Sequence, residues 1–117
     1  MRFVEPKSEW QQAKAVLFRA RERLVYQRTE LVNVLRAVLY EYGHTIPQGI
    51  VHLRRIEALL DEPNSDLPAL VYEECRDLLA QIGEKTVRIE AKTRTIKEVA
   101  AETDMTRRLQ TMPGLVR

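Results

Sequence analysis

The sequence predicts an all-α fold: two long helices forming an antiparallel hairpin or coiled coil, with a short connecting helix. Three observations carry this. Between Ser8 and Tyr42 there is neither proline nor glycine, and apolar residues recur there every seven positions. Turn-forming residues are concentrated at 43–49 and 61–66. A second stretch of matching length, 67–101, carries a similar apolar stripe.

The first helix is placed at 8–42. Ser8-Glu9-Trp10-Gln11 fits the capping-box pattern, in which a hydroxyl accepts from a backbone N–H and Gln11 reaches back. Trp10, Leu17, Leu24, Leu31 and Val38 form a heptad seam, flanked by Ala13, Ala20 and Val34. Gly43 supplies a left-handed end at low steric cost. At ~1.5 Å per residue such a helix is a rod of roughly 50 Å.

His44-Thr45-Ile46-Pro47-Gln48-Gly49 reads as a turn, and a short helix follows at 50–60 with Ile50, Leu53, Ile56 and Leu60 on one face. Pro63 and its polar neighbours break that helix. Asp66 is the expected cap of the next, with Pro68 in its first turn. The third helix, 67–101, has the seam Val71, Cys75, Leu78, Ile82, Ile89, Ile96 and Val99, interrupted by Lys85 and Lys92. Thr103 or Asp104 is expected to cap a separate last turn at 104–109, and Met112-Pro113-Gly114 to end it. Narrow seams on long rods bury little area per residue, so one hairpin alone is marginal and self-association, as a homodimer or higher, is expected.

Composition excludes several classes. Of 117 residues, 44% are apolar and 31% charged, too apolar for a disordered tail. No apolar run approaches the ~18 residues of a membrane span, and no apolar leader follows Met1. Four glycines and 6% aromatics argue against a β-sandwich. One cysteine, Cys75, excludes an internal disulfide and fits a reducing cytosol, so a cytoplasmic chain without membrane contact is expected.

No self-contained active site is visible. His44 and His52 lack the i, i+4 spacing of paired ligands, and no phosphate loop, H-E-x-x-H or G-x-S-x-G motif occurs. Asp61, Glu62, Asp66, Glu73, Glu74 and Asp77 cluster around one turn, where carboxylates complement a helix N-terminus and stay hydrated; a Mg²⁺ site is the rarer use. No metal, cofactor or small-molecule substrate is expected. The first helix carries Lys14, Arg19, Arg21, Arg23, Arg28 and Arg36 against Glu9, Glu22, Glu30 and Glu41. Residues 1–58 hold 10 basic and 6 acidic side chains, the remainder 9 and 11. Guanidinium groups suit phosphates, yet on charge alone so mild an asymmetry fits an ordinary solvated, salt-bridged helix face better than a nucleic-acid surface.

A particular string of residues adds to this reading. Val4-Glu5-Pro6-Lys7-Ser8 leads into Arg21-Glu22-x-Leu24-Val25-x-Gln27-Arg28-Thr29-Glu30-Leu31-x-Asn33-x-Leu35-Arg36. Leu39-x-Glu41-Tyr42-Gly43, Pro47-Gln48-Gly49 and Arg108-Leu109-Gln110-Thr111-Met112-Pro113-Gly114 follow. This pattern resembles the middle of the DEDD-type insertion-sequence transposases, the RNA-guided DNA recombinase family. The resemblance covers nearly the whole chain to Gly114.

It implies a RuvC-like domain upstream, with four acidic residues binding Mg²⁺, and a downstream transposase domain bearing a serine nucleophile. On this reading residues 1–7, with Arg2-Phe3-Val4 as a last strand, are a remnant of the first domain. Residues 8–109 are the helical coiled-coil region, and 110–117 are a truncated start of the last domain. Where the family continues with a second glycine, this sequence reads Leu115-Val116-Arg117. Neither the acidic tetrad nor the nucleophile can be placed here, and Ser8 and Ser65 are better explained as cap and turn. The resemblance implies a non-catalytic segment of a recombining enzyme. Self-association would run through the seams of Trp10, Leu17, Leu24, Leu31 and Val38, and of Leu78, Ile82, Ile89 and Ile96. DNA or guide RNA would meet Arg19, Arg21, Arg23, Arg28 and Arg36. A structural oligomerisation module without nucleic acid is the alternative.

Overall fold

The computed structural model describes residues 6–63 and 66–111, with side chains described for 9–63 and 66–105. It is all-helical, with no strand among the described residues. The elements are α1 (Pro6–Glu41), a single 3-10 turn (Ile50–His52), α2 (Leu53–Asp61) and α3 (Ala69–Thr111). Long helix α1 packs on long helix α3, with the short helix between them in sequence. The chain divides into two compact units, Leu24–Arg88 and Met1–Arg23 with Ile89–Arg117.

In the 24–88 unit three helical segments close around one core. Val32, Leu35 and Leu39 of α1 meet Ile56 and Leu60 of α2, Cys75 and Ile82 of α3, and Ile46 of the connection. Leu31, Val38 and Leu78 pack against this cluster, half-buried. Gly43, at φ 87°, ends α1 in a Schellman motif. Its N–H donates to the Tyr40 carbonyl at 3.0 Å, and the His44 N–H donates to the Leu39 carbonyl at 3.0 Å. The chain then runs extended, so that Ile46 folds onto α1.

The second unit has only two helical segments and correspondingly little core. Among its described residues Ile89 alone is buried, while Leu17, Ala20, Ile96 and Val99 are half-buried. Trp10 is 39% exposed, but its indole N–H donates to Thr103 Oγ1. The Trp10–Thr103 and Arg21–Thr93 contacts run in opposite senses along the two helices, which makes the pair antiparallel.

Several boundaries differ from those read in the sequence. α1 begins at Pro6 rather than Ser8; a proline in the first turn has no N–H to lose there. The side chain of Ser8 lies outside the described residues. The short helix is an α-helix only from Leu53, preceded by the 3-10 turn, and the tighter winding turns Ile50 outward from the Ile56–Leu60 face. α3 starts at Ala69, where the Pro68 carbonyl accepts from the Tyr72 N–H at 2.9 Å. Asp66 instead pairs with His44, at 3.2 Å. No break falls at 102–103. Thr103 Oγ1 donates back to the Val99 carbonyl, the i−4 bond open to a threonine inside a helix, and α3 continues to Thr111. Residues 6–7 and 110–111, read as remnants of neighbouring domains, belong to α1 and α3. The Arg2-Phe3-Val4 strand, Ser65 and the Met112-Pro113-Gly114 stop lie outside the described residues.

Candidate nucleic-acid interface

A helix packed on one partner presents two rows of positions per heptad. The apolar row of α1 is Leu17, Leu24, Leu31 and Val38, inner as the heptad suggests; Leu24 is buried and the other three half-buried. The alternate row is Lys14, Arg21, Arg28 and Leu35, so two of the arginines read as surface residues stand at inner positions. On α3 the corresponding gap in the apolar stripe falls at Lys85-Thr86 and Lys92-Thr93. The two irregularities fit each other. Arg28 Nη1 donates to Thr86 Oγ1 at 3.2 Å, within the 24–88 unit. In the other unit Arg21 Nε donates to Thr93 Oγ1 at 2.8 Å.

Each threonine hydroxyl in turn donates to an i−4 carbonyl, Thr86 to Ile82 at 3.0 Å and Thr93 to Ile89 at 2.9 Å. The hydroxyl proton is thereby committed and the lone pairs face the guanidinium. These polar layers satisfy the N–H groups without neutralising the charge, because the acceptor is a neutral oxygen. Among the described residues neither arginine lies within ion-pair distance of a carboxylate.

Arg36 is also half-buried, with Nε donating to the Ile46 carbonyl at 3.0 Å and Nη1 to Asn33 Oδ1 at 3.5 Å. Arg19 and Arg23 lie on the exposed face of α1. The five candidate arginines thus divide into two exposed, Arg19 and Arg23, and three that donate hydrogen bonds within the chain. Thr86 and Thr93 were not legible as partners from the sequence. The signal for them was the coincidence of a polar break in one seam with charged residues in the other.

In the acidic turn the described carboxylates are engaged separately. Asp61 pairs with Arg76, whose Nε also donates to the Tyr72 hydroxyl at 3.0 Å. Tyr72, then Asp61, raise the Arg76 guanidinium further above its ordinary range. Asp66 faces His44, and Asp77 accepts from Gln81 at 2.9 Å. No three His, Cys, Asp or Glu side chains converge among the described residues. Cys75 is buried, and desolvation, with Glu74 beside it, pushes its thiol up, which keeps it protonated and unreactive at neutral pH. No helix among the described residues is long and apolar enough to cross a membrane.

Comparison with known proteins places this helix pair. It is 33% identical over 115 residues to the transposase for insertion sequence element IS1328 of Yersinia enterocolitica. It is 34% identical over 119 residues to y4pF/y4sB of Sinorhizobium fredii, and 29% over 116 residues to the transposase for insertion sequence element IS1111A of Coxiella burnetii. The chain is similar to insertion-sequence transposases. Each alignment takes in 98% of this chain but 34%, 30% and 32% of the respective relative, so the chain spans about a third of the length of the curated relatives it matches. No family model and no solved structure matches it.

Proposed function

We propose that these residues serve DNA transposition as a non-catalytic helical segment, within an enzyme of the DEDD-type, RNA-guided recombinase family. Similarity to insertion-sequence transposases over 98% of the chain carries the reading. A mechanical role fits the antiparallel packing of long helix α1 on long helix α3. The segment acts in the cytoplasm, where its helices hold the catalytic parts of two protomers at the spacing that recombining DNA strands require.

Self-association would cover what the two-helix unit leaves wet, namely the sides of the Leu17–Ile96 seam and the exposed Val16 and Phe18. DNA or guide RNA meets the arginine face of α1, with Arg19 and Arg23 as the first contacts because they are exposed. Arg21, Arg28 and Arg36 join through N–H groups beyond those already donated. The purely structural reading has one observation in its favour: these three guanidinium groups already serve the fold. A low-salt binding titration separates the two. Arg19→Glu with Arg23→Glu should weaken nucleic-acid binding while helicity and oligomer mass stay unchanged. Equal binding by wild type and variant would remove the arginine-face claim.

A further inference from the structure

The corner where α1 turns into the connecting segment holds a groove that neither the core nor the helix pair accounts for. It is lined by Asn33, Arg36, Tyr40 and Glu41 on α1 and by Thr45 and Ile46 across from them, all within the 24–88 unit. Tyr40 is 70% exposed and makes no hydrogen bond or ring contact through its side chain among the described residues. Its backbone is nonetheless fixed, since its carbonyl accepts the Gly43 N–H of the Schellman motif. An aromatic ring in water on a rigid helix end serves no packing purpose.

Beside it, the Arg36 guanidinium is oriented by the Ile46 carbonyl and Asn33 Oδ1, while Nη2 has no partner among the described residues. Glu41 lies in the same groove but not within ion-pair distance of Arg36. A flat ring, a pre-oriented guanidinium and short polar side chains are the parts with which proteins hold a splayed-out nucleotide. The base stacks, the guanidinium takes the phosphate, and amide or hydroxyl groups meet the base edge or sugar.

We infer that this groove holds one unpaired nucleotide of a nucleic-acid strand, its base stacked on Tyr40 and its phosphate on Arg36. The inference rests on the nucleic-acid reading above and goes beyond it, naming single-stranded nucleic acid and an aromatic platform where that reading has charge contacts alone. Asn33 and Thr45 supply edge contacts, and the Glu41 carboxylate disfavours a phosphate at its end of the groove.

The test is a titration of the 117-residue chain with oligo(dT), oligo(U) and a DNA duplex, for wild type, Tyr40→Ala and Tyr40→Phe. Tyr40→Ala should lose about tenfold in affinity for the single strands, the scale of one stacked base. Duplex binding and helicity by circular dichroism should be unchanged, and Tyr40→Phe, which keeps the ring, should bind as wild type. A loss with either single strand supports the inference. Wild-type binding that survives Tyr40→Ala overturns the nucleotide site and leaves the arginine reading standing, whereas a wild-type chain that binds none of the three overturns both. If Tyr40→Ala changes only the mass of the free chain in light scattering, the groove is a protein contact and the inference falls.

Discussion

The Arg28–Thr86 layer gives the most direct test of how this helix pair is held. The guanidinium N–H to hydroxyl distance is 3.2 Å, at the long end of the hydrogen-bond range, and both side chains are half-buried. A bond to a charged donor contributes about 1.5–3 kcal/mol when well buried; length and partial exposure bring this one nearer ~1 kcal/mol. Thr86→Val removes the acceptor and keeps the shape, and valine and threonine have similar helix propensity. The hydroxyl's bond to the Ile82 carbonyl is also lost, but such back-bonding adds little to a helix.

Thr86→Val should therefore lower stability by ~1 kcal/mol, about 4 °C in Tm for a chain of this size. Arg28→Leu combined with Thr86→Val should melt at or above wild type. A leucine at that inner position buries about 60 Å² more apolar surface, roughly 1.5 kcal/mol at ~25 cal/mol per Å², and no buried donor is left behind. The assay is a double-mutant cycle by thermal and urea denaturation at one fixed protein concentration. A coupling energy near zero, with Thr86→Val as stable as wild type, would refute the polar-layer account.

Three further outcomes follow from the same structure. Leu35→Ala or Ile82→Ala, both at fully buried positions of the three-helix core, should each cost about 3 kcal/mol in urea unfolding, while Val87→Ala, exposed on α3, should change stability by less than ~0.5 kcal/mol. Gly43→Ala meets no atom within 4 Å, so only its left-handed backbone resists, at ~1 kcal/mol; Gly49, at φ 120° and ψ 151°, sits where only glycine is comfortable, so Gly49→Ala should cost more, about 2 kcal/mol by the same denaturation assay. For Cys75 the sign follows from its raised pKa. The unfolded chain's thiol ionises first, so the folded state's advantage is present below the ordinary thiol range and is lost as pH rises through the folded value; alkylation at pH 8 should be slow in the native chain and fast in urea.

The apolar stripe of α1 was legible because one row of its heptads is unbroken, and the turns were legible because Pro47 and Pro63 restrict backbone angles while Gly43 and Gly49 permit positive φ, whatever surrounds them. The arginine face was only half legible. Arg19 and Arg23 are exposed as their spacing suggests, but Arg21 and Arg28 share the inner row with Lys14 and Leu35. A single helix gives no means of telling an inner polar position from an outer one, because the deciding acceptor lies more than fifty residues away, on Thr86 or Thr93. The same distance hid the continuity of α3: Thr103 looks like a cap in isolation and becomes an interior residue once Trp10 donates to it.

By itself, then, the sequence determined the helical class, the points of reversal and the apolar rows, since these depend on local backbone preference and on residues within two turns of one another. Only the tertiary structure decided which cations turn inward, how α2 is rotated, and that Thr45 and Ile46 wall a groove beside Arg36 and Tyr40. Those outcomes depend on what the opposing segment offers, an oxygen for a guanidinium or a wall for a ring, and no local pattern encodes that.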